Sequence, residues 1–207
     1  MINILFQNSD YIVVDKPSGI PVHATVDKSR ENVLSMLKDQ LGITELYLAH
    51  RLDKDTSGCL VLGLNQNSQI HISKIFEARE ITKRYVCLVE GEGFEKETLL
   101  EDFLKAKKLQ GRELMSVVRS GGIKAVSICR LLKSNKNYSL LEIEIKTGRM
   151  HQIRVQLASR GHAIVGDNFY GGAEASRLYL HAQLIECAEF RVESQLPLEF
   201  MQRFEGK

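Results

Sequence analysis

The longest candidate for an apolar span in this chain of 207 residues is Cys59-Leu60-Val61-Leu62-Gly63-Leu64. That is the length of one buried strand, far short of the roughly 18 residues a membrane span needs. The other regular segments are equally short. Asn3–Gln7 and Tyr11–Lys16 read as strands around the turn residues Asn8-Ser9-Asp10. Ile81–Glu90 is a strand closed by Gly91, and further strands fall at Ile123–Leu132, Tyr138–Lys146, Leu178–Cys187 and Phe190–Val192. In Tyr138–Lys146, Leu141, Ile143 and Ile145 alternate with Glu142, Glu144 and Lys146, the period of a half-buried strand. Helical spacing occurs at Val33, Leu34, Leu37 and Leu41, stopped by Gly42, and at Ile72, Ile75 and Phe76 within Ser68–Arg79. It recurs at Met150, Ile153 and Leu157 within Met150–Arg160, and a short helix follows Pro197. Lys16-Pro17-Ser18-Gly19-Ile20-Pro21 is a stiff extended loop. Strands joined by tight turns are too frequent for alternating βαβ units. The expected fold is therefore α+β, with a mixed, largely antiparallel sheet. No repeat or linker divides the chain, so residues 1–207 are expected to form a single domain.

Composition excludes several classes. Hydrophobic residues are 43% and charged residues 26%, ordinary globular usage and incompatible with a disordered or low-complexity chain. Met1-Ile2-Asn3-Ile4-Leu5-Phe6 has neither the basic region nor the cleavage site of a signal peptide, which predicts a cytoplasmic protein. Cys59, Cys87, Cys129 and Cys187 are far apart, form no Cys-x-x-Cys pair and sit in apolar stretches, so they read as core residues. The net charge of +2 names no partner. Between Phe103 and Lys124, however, Lys105, Lys107, Lys108, Arg112, Arg119 and Lys124 stand against Glu113 alone, a local +5. Such a stretch is either a solvated insertion on the sheet or a surface that lies along a polyphosphate backbone.

Three clusters carry the polar chemistry. His50-Arg51-Leu52-Asp53-Lys54-Asp55-Thr56-Ser57-Gly58 leads into the buried run at Cys59. Its Asp-Thr-Ser-Gly end is a plain turn by composition, yet the density of charged and hydroxyl groups beside a buried strand suits an aimed catalytic loop. No Gly-x-Ser-x-Gly elbow, zinc deaminase pattern or Gly-x-x-x-x-Gly-Lys-Ser/Thr loop is present, which leaves a carboxylate acting alone. Thr147-Gly148-Arg149-Met150-His151-Gln152-Ile153-Arg154 joins a strand to a helix and sets Arg154 at the border of the core. There an arginine needs a carboxylate partner, and a purely structural ion pair would serve equally. The third cluster, Lys83-Arg84-Tyr85, puts two cations before a strand tyrosine that is either core or site.

Taken in order, Lys16-Pro-Ser-Gly-Ile-Pro-Val-His23, His50 to Gly58, Lys83-Arg-Tyr85, Thr147 to Arg154, Gly166-Asp167 and Leu180-His-Ala182 resemble the motifs of RluA-type pseudouridine synthases. The resemblance runs from about residue 5 to about residue 190. It implies the pseudouridine synthase fold and an isomerase: the uridine N1–C1′ bond breaks, the uracil turns, and C5 bonds to C1′. No cofactor and no metal is implied. Carried over by position, Asp53 is the catalytic aspartate, Tyr85 packs on the target base and Arg154 partners Asp53. The expected RNA contacts are Arg51, Lys83, Arg84, Arg149 and His151, with Lys105, Lys107 and Lys108 from the basic stretch. The expected partner is structured RNA, either tRNA or ribosomal RNA, bound by a monomer that does not associate with membranes. The first strand begins near Asn3, so no N-terminal S4 domain is expected. The alternative is a non-catalytic RNA-binding or chaperone module on the same fold, which would have no need of Asp53.

Overall fold

The computed structural model describes residues 1–24, 31–94, 97–109 and 111–206; the Arg112 side chain also lies outside this set. The chain divides into two compact units, Met1–Lys83 with His181–Gln195, and Arg84–Leu180 with Leu196–Lys207.

The first unit carries β1 (Asn3–Gln7), β2 (Tyr11–Lys16), α1 (Val33–Leu41), β3 (Tyr47–Leu48), β4 (Ser57–Gly63) and α2 (Gln66–Ala78). It is completed by β10 (Leu180–Glu186, from His181 on) and β11 (Arg191–Glu193). The order in the sheet is β1-β2-β4-β10-β11. All neighbours are antiparallel except β4 and β10, which run parallel with Ser57 opposite His181 and Gly58 opposite Ala182. Every residue of β4 is buried, because β2 covers one edge and β10 and β3 share the other. The run Cys59–Gly63 is thus the centre of this unit's core, in which Tyr11, Val13, Cys59 and Val61 meet Ile72 and Ile75 of α2. Asn32 caps α1 and Asn65 caps α2, each accepting the backbone N–H three residues on.

The second unit carries β5 (Thr82–Glu90, from Arg84 on), β6 (Thr98–Leu109), β7 (Arg112–Val118), β8 (Ile123–Ser134), β9 (Tyr138–Ile145), α3 (Gln152–Ala158) and α4 (Leu198–Glu205). Its strands lie in the order β5-β9-β8-β6-β7, all antiparallel. The α+β class with a mixed, largely antiparallel sheet is therefore borne out.

Three local expectations change. The basic stretch, read only as a solvated insertion on the sheet or a surface for a polyphosphate backbone, supplies strands: residues 103–109 lie in β6, 112–118 in β7 and 123–124 at the start of β8, with β6 paired on both edges. Leu100 and Leu104 of β6 are buried while Leu99 and Phe103 on its other face are exposed. Apolar residues on both faces hide the period-2 signal. The helix expected from Met150 begins at Gln152; Met150 is exposed, and His151 breaks the spiral with a left-handed φ of 53°. Glu144, expected on a solvated strand face, is buried and ion-paired with Arg130, Lys146 and Arg84. Three of the four cysteines behave as core residues, and Cys187 is half-buried against the core of the first unit. Cys59, Cys87 and Cys129 are buried, and burial pushes the Cys59 and Cys129 thiols up to about 12.

Gly58 is the tightest point of the first unit. Its φ of 107° is open to glycine and strained for any other residue, and a Cβ there would overlap the backbone of Ala182 on the parallel neighbour. Gly58→Ala is expected to lower unfolding free energy in urea by about 2–3 kcal/mol or more, whereas Gly42→Ala, where a Cβ meets open space, should cost less.

Candidate active site

The loop from His50 to Thr56 is fixed at almost every residue. The free edge of β4 is covered by β10 at Ser57 and Gly58 and by β3 at Leu62 and Gly63, leaving the Val61 N–H between them. His50 fills that gap: its Nε2 accepts the Val61 N–H at 3.0 Å, and its ring stacks on Phe76 with centroids 4.7 Å apart. An imidazole that accepts through Nε2 carries its proton on Nδ1. Burial, and then the charge of Lys83, push the His50 pKa down to about 3, so the ring is neutral at physiological pH. Leu52 is buried next in line, and the Thr56 N–H donates to the Asp53 carbonyl at 3.2 Å.

The far side of the loop is held by the stiff segment after β2. Lys16 is fully buried, and its ammonium donates to the carbonyls of Pro17 (2.7 Å), Ile20 (2.8 Å) and Lys54 (2.7 Å). The Gly19 N–H reaches the same Lys54 carbonyl at 3.0 Å, and the Ser18 hydroxyl donates to the Asp55 carbonyl at 2.6 Å. Asp53 thus sits half-buried on a loop whose backbone has little freedom, with exposed Arg51 two residues before it. At the base of the loop, buried Ser57 and His181 share a hydrogen bond of 2.9 Å across the parallel pair.

In the second unit the Thr147–Arg154 cluster forms a rigid corner. The Gln152 side chain accepts from the Thr147 hydroxyl (2.7 Å) and the Arg149 N–H (3.1 Å), and donates to Val126 O (3.0 Å) and Ser127 Oγ (2.8 Å). With its polar groups satisfied in this way, Gln152 can be buried at the start of α3. Arg154, 4% exposed, makes a two-pronged pair with Asp167, 1% exposed: Nε to Oδ2 at 2.7 Å and Nη2 to Oδ1 at 2.8 Å. Its guanidinium also lies 5.3 Å from the ring centres of both Phe169 and Tyr170. The Asp167 turn is set by Gly166, whose φ is 80° and whose Cβ position is filled by the Arg177 carbonyl. His151 Nδ1 lies 3.0 Å from the Tyr170 hydroxyl, which accepts the Met115 N–H of β7 at 2.9 Å.

The sequence reading gave Arg154 a single carboxylate, Asp53, and assigned Asp167 no role. Asp167 is the residue it missed. The available signal was an arginine at a core border followed by Gly-Asp thirteen residues on. Of the other expected residues, Tyr85 is buried in β5 opposite Ile143. Arg84 is drawn toward Glu144 at 3.5 Å, and the Arg149 Nε donates to the Lys124 carbonyl at 3.2 Å. Lys105 and Lys107 are exposed on one face of β6; Lys108 is on the other, opposite Glu113.

The family model for RNA pseudouridylate synthase matches residues 10–159, a span that includes Asp53, Tyr85 and Arg154. The chain belongs to the RNA pseudouridylate synthase family. An uncharacterized RNA pseudouridine synthase of Zymomonas mobilis is 34% identical over 95% of this chain and 94% of its own length. Another, of Haemophilus influenzae, is 32% identical over 89% and 81%. The ribosomal large subunit pseudouridine synthase D of Zymomonas mobilis is 31% identical over 92% of this chain and 61% of its own length. The structure of human RNA pseudouridylate synthase domain containing 4 superposes with a TM-score of 0.82 at 22% identity, covering 98% of this chain and 92% of that one, and shares the fold. Among the described residues no helix is long and apolar enough to cross a membrane.

Two outcomes are expected of this pseudouridylate synthase fold. His50 has a folded pKa below its unfolded value, so its contribution to stability is present above pH ~6.5 and is lost as pH falls toward 3. Chemical denaturation should show a loss on the order of 1–2 kcal/mol between pH ~6.5 and ~5 that His50→Asn lacks. Asp167→Asn removes the two-pronged carboxylate from a buried guanidinium and should cost about 3–5 kcal/mol.

Proposed function

We propose that this chain isomerises specific uridines to pseudouridine in structured RNA, with Asp53 as the catalytic carboxylate. The observation that carries the reading is the loop itself. Backbone groups on both sides of Asp53 are tied down through His50, Lys16, Gly19 and Ser18, as a reacting carboxylate held in one place requires. Isomerisation conserves atoms: the glycosidic N1–C1′ bond is exchanged for C5–C1′, N1 gains a proton and the C5 proton leaves to solvent. A carboxylate suffices as nucleophile or base for such a step.

In this reading Tyr85 provides the flat surface for the displaced uracil, an interaction of roughly 1–3 kcal/mol. Arg154 is the cationic partner of Asp53, and its orientation is set by Asp167. Arg51, Arg149, His151 and the β6 lysines Lys105, Lys107 and Lys108 contact the RNA backbone; the exposure of Arg51 and of the lysines supports this. Arg84 has a carboxylate beside it already and contributes least. Similarity to a relative named for the ribosomal large subunit favours ribosomal RNA over tRNA as the substrate class. Four free cysteines fit a reducing compartment, the cytoplasm, and a monomer suffices for the roles assigned.

Asp53→Asn is expected to retain the fold and RNA affinity but to release no tritium above background from RNA labelled at uridine C5. Release within about tenfold of wild type, equivalent to about 1.4 kcal/mol, would remove Asp53 from the reaction.

A further inference from the structure

Among the described residues, Lys83 is a cation without a counter-ion. It is half-buried, and its ammonium lies 5.1 Å from the centre of the Phe76 ring, the same ring that stacks on His50. Among the described residues no carboxylate, carbonyl or hydroxyl is hydrogen-bonded to it. Lys16 shows the contrast: deeper still, it is surrounded by three carbonyls. An aromatic face compensates a partly desolvated ammonium only in part. The charged groups around Lys83 do not complete it. His50 is neutral and engaged with the Val61 N–H, and Arg84, next along β5, is turned to Glu144. Glu77, Arg79 and Glu80, which flank Phe76 at the end of α2, are exposed.

We propose that Lys83 is a phosphate-binding residue completed by the RNA, whose backbone supplies the missing counter-ion, so that RNA binding takes up a proton at this site. The inference rests on the RNA-isomerase reading above and adds to it a titrating contact. Burial pushes the Lys83 pKa down to about 8 in the free protein, so the ammonium is mostly formed at pH 7 and mostly lost at pH 9. A phosphate beside it favours the charged form, and affinity must fall as pH rises through the free-protein value. An arginine at this position would stay charged throughout.

The test is binding of a hairpin fragment of ribosomal RNA to wild type, Lys83→Arg and Lys83→Gln at fixed ionic strength. The wild-type Kd should rise up to about tenfold from pH 7 to pH 9. Lys83→Arg should lack that rise, and Lys83→Gln should bind several-fold more weakly at pH 7 with no corresponding pH term. Equal pH slopes for wild type and Lys83→Arg overturn the proposal. A nuclear magnetic resonance titration of the Lys83 side chain in the intact protein provides a readout independent of any variant: the same ribosomal RNA fragment should raise its pKa. If inorganic phosphate raises it and the RNA does not, the site takes a free anion and the RNA assignment falls. Tritium release by wild type, measured in parallel on RNA from cells lacking the protein, separates the two levels. Its absence removes the isomerase reading, whereas a missing slope difference removes only the role of Lys83.

Discussion

The first unit depends on one buried ammonium. Burying Lys16 without partners would cost several kcal/mol, and three carbonyl acceptors at 2.7–2.8 Å offset that cost. Two acceptors belong to the Pro17–Ile20 segment and one is Lys54 of the loop that carries Asp53. Lys16 thus joins two irregular segments that no sheet ladder reaches. A lysine does this better than an arginine: its three N–H donors diverge from a point, whereas a planar fork suits carboxylates. The stiffness of the two prolines matters for the same reason, because the acceptors must already be in place when the ammonium is desolvated.

The second unit solves a similar problem with the opposite chemistry. Arg154 is nearly as deeply buried as Lys16, but its partner is the carboxylate of Asp167, and two aromatic rings flank the guanidinium. Asp167 is in turn held by the Phe169 N–H at 3.1 Å. Polar groups throughout α3 follow this pattern. Gln156 is fully buried, accepts from Ser127 and donates to Asp102. Six of the seven residues of α3 are buried, and such a helix is stable only because its glutamines and arginine are satisfied by strands β6 and β8 and by the Asp167 turn.

Charge is accordingly sorted by function. Glu144, Glu142 and Glu97 collect Arg130, and Glu144 also takes Arg84 and Lys146, so this network on the sheet is close to neutral. The lysines on the outer half of β6 remain exposed, and among the described residues Lys83 has no anion beside it. On a chain of net charge +2, the cations left over after internal pairing are the ones available to a polyanion.

Much of this was legible in the sequence. β1 and β2 coincide with the segments read on either side of the turn residues Asn8-Ser9-Asp10, because such signals are local. β4 and β5 were legible for the same reason, each within two residues of its bounds. The motif clusters that hold Asp53, Tyr85 and Arg154 were equally visible, since residue type and order are properties of the chain. What the tertiary structure decided is who partners whom. The β6–β7 hairpin was hidden because Leu99 and Phe103 are exposed on the face opposite buried Leu100 and Leu104, which erases the alternation. The start of α3 was misplaced because His151 takes a left-handed conformation, with its ring at the Tyr170 hydroxyl. Lys16 read as the last residue of a strand and the first of a stiff loop, and Asp167 as part of a motif without a role. Their positions follow from partners 38 and 13 residues away, and the energy of a buried charge is fixed by its surroundings in space and not by its neighbours in sequence.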